Sequence, residues 1–272
     1  MRRLVIALVV LAGLLVVADF GAAAIFEHEV SKRARSHFGL ADDPDVRVGG
    51  FSFLAQAISG EYDKVAVDAK GVPVRNTLRD VEVHADLMGV HAPLSDLLSG
   101  SLKSVTLREV KGQVLVKASD VNRAISEQEN ELVKTITRLT IDPVSEQVAI
   151  TEPPEGAEPP DPADEPEDTT AGVRMCVTAD ITDQSTDFCV FGIISLADGK
   201  ISFEPKRLDI RNGLISGSLA PTLQEKVLAL FAITLDPGVL PFSVTPTAVK
   251  VDPGVLSVSG KASNVVLSGG NG

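Results

Sequence analysis

Hydrophobic and polar positions follow three different patterns along the chain. The first is a block. Arg2 and Arg3 precede an apolar run from Leu4 to Val17 that is broken only by Gly13, and Asp19, Phe20 and Ala22-Ala23-Ala24 follow it. A basic start, an apolar middle and a small-residue end are the parts of a signal peptide. The run is about 14 residues long, against the roughly 20 that a bilayer-spanning helix needs. Residues 1–24 are therefore expected to be a cleaved signal peptide, with a mature chain beginning near Ile25. Asp19 and Phe20, between the run and the alanines, keep a retained N-terminal membrane anchor open as the alternative. No Cys lies near the N-terminus, which excludes a lipid-modified Cys there. On either reading the rest of the chain is exported, to the periplasm or the outer face of the plasma membrane.

The second pattern is helical. From Ala22 to Phe38, Phe26, Val30 and Ala34 recur at four-residue spacing with charged residues on the other faces, and Gly39 follows as a C-cap. The same phase places Val121, Ile125, Leu132, Ile136 and Leu139 on one face of a second helix, capped by Ser119 or Asp120. A third helix is expected from Ser218 to about Ile233, with an apolar stripe widened almost all round by Leu228, Ala229 and Ala232. Such a helix is enclosed on most sides or faces a ligand.

The third pattern is alternation, which means sheets with one dry and one wet face. Lys64–Ala69 and Asp80–Leu87 show it most cleanly. Val105 and Leu107, then Val114 and Val116, continue it with a phase slip that predicts a bulge or turn at Lys111-Gly112. Further strands are expected at Gln147–Thr151, Val173–Ile181, Phe188–Ser195, Lys200–Phe203 and Arg207–Arg211. Thr247–Val251 and Val255–Ser259 form a hairpin turned by Asp252-Pro253-Gly254, and a last strand covers Asn264–Leu267. Strand runs interrupted by helices indicate an α+β fold.

Charge changes this picture at one place. The formal net charge is −12, but Glu152, Glu155, Glu158, Asp161, Asp164, Glu165, Glu167 and Asp168 share one stretch with six prolines and no Lys or Arg. Residues 152–172 are expected to be a disordered acidic loop interrupting a single domain of residues 25–272. The remaining body is only mildly acidic, which argues against nucleic-acid binding. Cys176 and Cys189 lie in adjacent strand-like runs. An antiparallel hairpin would set them opposite one another within reach of a disulfide, which an exported protein keeps; two unpaired structural thiols are the alternative.

The search for chemistry finds little. There is no G-x-S-x-G elbow and no Gly-rich phosphate loop. His84, Asp86 and His91 are close in sequence, but Asp80 and Glu82 share that face, as on any solvated strand. No catalytic residue, metal site or cofactor is expected, and the chain reads as a non-enzyme.

Three stretches then carry a resemblance. They are Val46-Arg47-Val48-Gly49-Gly50-Phe51-Ser52-Phe53-Leu54 with Gly60-Glu61-Tyr62-Asp63, Gly112-Gln113-Val114-Leu115-Val116 running into Ser119-Asp120-Val121-Asn122, and Leu240-Pro241-Phe242 through Gly254 to Val265. With the N-terminal block, their order and spacing resemble the LmeA-like phospholipid-binding proteins of actinobacterial envelopes. Ser52 departs from the Gly-Phe-Pro-Phe pattern associated with that family. The resemblance implies a tubular lipid-binding fold like that of the bactericidal permeability-increasing protein, in which a strongly curved antiparallel sheet wraps long helices. It also implies a phospholipid ligand of the phosphatidylinositol type, contact with a membrane surface, and support of mannan elongation on lipomannan.

Some segments are apolar on more sides than a half-buried element needs: Phe51, Phe53, Leu54 and Ile58; Leu94, Leu97 and Leu98; Val227, Leu230 and Phe231; Leu240 and Phe242. Surplus apolar surface meets either a second layer of core or a ligand, so these are the candidate lipid-binding residues. Two functions stay open: a lipid-binding or lipid-transfer protein, and an interaction protein that steadies an envelope glycosyltransferase around an ordinary core.

Overall fold

The computed structural model describes residues 2–74, 78–99, 105–127, 136–152, 168–181, 184–197, 199–211, 224–225, 228–229, 231–235 and 244–267. The apolar block and the amphipathic segment after it form one helix, α1 (Arg2–Phe38), which Gly39 ends at φ 63°. Then follow β1 (Asp45–Gly49), α2 (Phe53–Ser59), β2 (Glu61–Val74), β3 (Leu78–His91), α3 (Leu94–Ser99), β4 (Val105–Lys117) and α4 (Ala118–Ser126). After these come β5 (Ile136–Pro143), α5 (Glu146–Ile150), β6 (Thr170–Ile181), β7 (Gln184–Ala197), β8 (Lys200–Arg211), β9 (Ile233–Leu235), β10 (Thr245–Asp252) and β11 (Val255–Leu267).

The strands form two open sheets. One has the order β1-β2-β3-β4-β11-β10 and the other β5-β6-β7-β8-β9. Pairing within the second sheet is antiparallel throughout, as it is for β1–β2 and β10–β11. The α+β class read from the order of elements holds.

The chain divides into two compact units. The first comprises Met1–Val72, Glu82–Gly112 and Ala262–Gly272, the second Pro73–Val81 and Gln113–Lys261. In the first, Phe26, Phe53, Tyr62, Val90, Leu107 and Val265 are among the buried apolar residues. In the second, Ala118, Ile141, Val173, Ile194, Val249 and Val251 form an aliphatic cluster, and Val190, Leu208, Ile210 and Leu228 a smaller one. The β6–β7 hairpin keeps unbroken register from Thr170↔Ser195 to Ile181↔Gln184 and sets Cys176 opposite Cys189. The two cysteines are disulfide-bonded. Gly172 on β6 has no room for a side chain, since a Cβ there would lie 2.3 Å from the Val144 carbonyl oxygen.

Several sequence expectations need correction. The helix expected through Leu139 stops at Ser126, and Ile136 and Leu139 belong to β5, opposite Ala179 and Val177. The Asn122 side chain is part of the reason: its amide donates to the Leu139 carbonyl (2.8 Å) and accepts from the Leu139 N–H (2.6 Å), as a neighbouring strand would. Leu132 lies outside the described residues. Asp120 caps no helix. Lys117 is the N-cap of α4, and the buried Asp120 carboxylate accepts from the Arg79 and Asp80 N–H groups at 3.0–3.1 Å and pairs with Arg123.

The expected strand Gln147–Thr151 is the helix α5, started by Ser145, whose hydroxyl accepts from the Val148 N–H (3.3 Å). β4 is continuous through Lys111-Gly112, so no turn breaks the strand there. The two strands expected between Lys200 and Arg211 are one, β8, whose pairing shifts register opposite Phe191/Gly192. Asn264–Leu267 is the end of β11. Residues 153–167 of the acidic stretch are outside the described residues, but its expected end is already structured: Asp168 bridges to Val249 and β6 begins at Thr170. Of the third expected helix, the described residues from 224 to 231 are helical and Ile233 opens β9. Leu228 packs on Val190, Leu208 and Ile210, whereas Ala229, Phe231 and Ala232 are exposed.

Candidate lipid-binding surface

The apolar half of α1 is bare. Its large apolar side chains from Leu4 to Val17 are each 51–71% exposed, and α1 as a whole is long and apolar enough to cross a membrane. The second half of the helix is docked, because one of its faces carries residues matched to the elements beside it. Asp19, Phe26, Glu27 and Ser31 recur at spacings of seven, one and four, which places them on one side of a helix. The Asp19 carboxylate meets the start of α2, accepting from the Ser52 hydroxyl (3.1 Å) and from the N–H groups of Phe53 (2.9 Å) and Leu54 (2.8 Å). These N–H groups have no partner inside their own helix, and a carboxylate is the group their aligned dipoles favour. Glu27 accepts from the Val48 N–H at 2.7 Å, and the buried Ser31 hydroxyl donates to the Pro44 carbonyl.

Aromatic packing completes the joint. The Phe26 ring lies 5.1 Å from that of Phe53 and 5.8 Å from that of Tyr62, while Phe53 and Tyr62 are 6.4 Å apart. Tyr62 is 1% exposed and its hydroxyl has no hydrogen-bond partner among the described residues. Burial raises its phenol above the ordinary value of 10.0. Gln56 fastens the other side of α2, donating to the Gly49 carbonyl (3.3 Å) and accepting from the Asp63 N–H (2.8 Å). Gly50, at φ 107°, has Asp63 and Gln56 side chains where a Cβ would be. Ser52 takes φ 57°, a left-handed conformation closed to proline. The Pro that the family pattern leads one to expect has no place in this turn.

The expected lipid-binding residues divide accordingly. Phe53 is core and Leu54 half-buried, but Phe51 and Ile58 are 93% and 87% exposed at the two ends of the same short helix. Gly60 ends α2 in the left-handed conformation, and its carbonyl accepts from the Ala92 N–H (2.9 Å), so the segment entering α3 packs beside it. Leu94 on α3 is half-buried, and α3, like α2, touches α1. The structure thus places Phe53, Leu54, Ile58 and Leu94 on the two helices that touch α1, with Phe51 just before the first of them. Leu97 and Leu98 belong to α3, with their side chains outside the described residues. Val227, Leu230, Leu240 and Phe242 are outside them altogether, and Phe231 is 40% exposed.

Asp19, Phe26, Gln56 and Tyr62 build this surface and were not among the candidates. Asp19 left a sequence signal as a charge interrupting an apolar block, Phe26 one as part of an apolar helix stripe and Tyr62 one within Gly60-Glu61-Tyr62-Asp63, while Gln56 left none. Ionisable side chains on the β2–β3 face are paired with each other: His84 Nδ1 lies 2.5 Å from Asp68, Lys64 2.9 Å from Asp86 and His91 3.8 Å from Glu61. Among the described residues no three His, Cys, Asp or Glu side chains converge as metal ligands would.

Residues 17–261 match the model of one family, described as LmeA-like phospholipid-binding. The match takes in nearly the whole chain, and the chain belongs to that family. No curated protein and no solved structure matches it.

Proposed function

We propose that this member of the LmeA-like phospholipid-binding family is an extracytoplasmic carrier that holds phospholipid acyl chains in the apolar interior of a curved, tubular body. The family match over residues 17–261 carries the reading. Two further observations support the location. A Cys176–Cys189 disulfide suits an oxidising compartment. Arg2 and Arg3 ahead of the apolar run favour an orientation that leaves the body outside.

The energetics suit a carrier. Each CH₂ removed from water is worth about 0.8 kcal/mol, but a donor bilayer offers nearly the same burial. An aliphatic groove therefore has only to match the membrane, and this chain, with no Trp and one Tyr, is rich in aliphatic side chains. Selectivity then rests on the head group, and the reading extends to phosphatidylinositol-type lipids and to a supporting role in lipoglycan (lipomannan) synthesis. The protein binds and presents lipid without transforming it.

Native mass spectrometry and lipid extraction of the purified protein test this. Stoichiometric co-purifying phospholipid is expected. A lipid-free protein that instead co-purifies with an envelope glycosyltransferase would sink the carrier reading in favour of a stabilising partner.

A further inference from the structure

We propose that α1 is kept as a membrane anchor, and that Asp19 clasps α2 to its emerging end so that Phe51 and Ile58 sit in the outer face of the bilayer. The inference rests on the outward-facing topology proposed above, but not on the carriage of lipid.

Three observations argue that α1 stays on the chain. Removal of residues 1–24 would take away the Asp19 carboxylate and leave the Phe53 and Leu54 N–H groups without the acceptor that the fold supplies. α1 runs unbroken from Arg2 to Phe38 through Ala22-Ala23-Ala24, so its apolar half and its docked half are one helix. The family match begins at Val17, so the segment carrying Asp19 is part of what the chain shares with its family.

The clasp then fixes a height. From Leu4 to Phe20, α1 covers about 25 Å at 1.5 Å per residue, somewhat less than the roughly 30 Å hydrocarbon core. Arg2 and Arg3 reach back to the inner interface on their long side chains. A span this short is accommodated by local thinning, which draws its exit end into the interface. Asp19 stands at that exit and is bonded to the first turn of α2. Phe20, Phe51 and Ile58, at 72%, 93% and 87% exposure, are therefore apolar side chains held beside the point where the helix leaves the lipid. A bilayer interface covers such a surface, because it takes apolar side chains while leaving neighbouring backbone in contact with water.

The absence of Trp from the chain makes the test direct. Full-length Phe51→Trp and Ile58→Trp are reconstituted in phosphatidylcholine/phosphatidylglycerol vesicles carrying acyl chains brominated near the head group, brominated near the methyl end, or unbrominated as the control. Both variants should lose most of their tryptophan emission to the brominated chains, more to the shallow bromines than to the deep ones. Intact mass of the membrane fraction should correspond to the chain with residues 1–24 attached. Adding Asp19→Ala to Ile58→Trp should abolish the quenching while the circular dichroism spectrum stays unchanged. A mature chain starting near Ile25 overturns the proposal. So does blue-shifted but unquenched emission from the Ile58→Trp variant, which would mean that a second copy of the chain covers the patch. Quenching that survives Asp19→Ala overturns the clasp. Phospholipid bound by the unaltered protein, measured separately, reports on the carrier reading.

Discussion

The first unit adds to its strands a set of side-chain joints that reach across sequence, whereas the second rests on strand pairing and an aliphatic interior. In the first, Asp19 meets residues 52–54, Glu27 meets Val48, Ser31 meets Pro44, and Gln56 links α2 to Gly49 and Asp63. In the second, β5 to β9 satisfy one another's backbone groups, the cystine ties β6 to β7, and Val173, Val249 and Ile141 fill the middle. The difference follows from what each element leaves unsatisfied. A helix end presents free N–H groups to its neighbours and needs a particular acceptor, whereas a strand in mid-sheet presents none. A unit built from helix joints therefore depends on single residues, while a unit built from strands shares its load along a ladder.

The contrast is broken most sharply at Phe53. Its ring touches both Phe26 and Tyr62, and Phe53→Ala should cost about 3–5 kcal/mol, the range for losing a buried aromatic. The chain has one Tyr and no Trp, so Tyr62 emission during urea unfolding reports on the first unit and should shift its midpoint accordingly. An unchanged midpoint would mean that the aromatic joint does not hold that unit together.

The next largest effect belongs to the second unit. Replacing Cys176 and Cys189 with Ser opens a loop of sequence separation 13, for which chain-entropy arguments give about 3 kcal/mol. The loss should appear in the far-ultraviolet strand signal with Tyr62 emission much less affected. Equal shifts in both probes would show that the two units unfold as one.

Smallest is Tyr62→Phe. Because the hydroxyl is buried without a partner among the described residues, its removal should be neutral or slightly stabilising near neutral pH. The alkaline limb sharpens the point. Burial raises the folded-state pKa above the ordinary 10.0, so above that pH the folded protein holds a proton that the unfolded chain releases. Wild-type stability should therefore fall as pH rises from about 10 towards the folded value, an increment that the Phe variant lacks. Parallel alkaline profiles would refute the burial argument.

Local patterning made much of the fold legible. The β2 and β3 alternation, the β10–β11 turn and the cysteine hairpin all depend on residues near one another, and the structure has all three. Expectations failed where a distant partner decided the outcome. Ile136 and Leu139 keep helical phase with Val121, yet pairing with β6 and the Asn122 amide make them a strand. Asp120 looks like a cap, but its partners are some forty residues earlier, at Arg79 and Asp80. Ser145 is a readable N-cap before α5, obscured by the apolar residues that follow it. At the candidate surface, the excess apolar character of Phe51–Ile58 was visible, but its division into buried Phe53 and exposed Phe51 and Ile58 was not. That division comes from Asp19 and Phe26, whose contacts lie across thirty residues of chain.

The hairpin turn at Pro253-Gly254 bears on how the molecule is made. Gly254 donates to the Ile141 carbonyl (2.7 Å) and accepts from the Ala118 N–H (2.8 Å), so a turn near the end of the chain closes a site opened near its middle. β11, which follows at once, gives residues up to Lys261 to the second unit and from Ala262 onward to the first. Contacts of such long sequence separation form late, since the loop between them must close first. During synthesis neither unit has its full set of strands until β11 has been made. Each unit therefore completes its fold only once both ends of that connection have emerged.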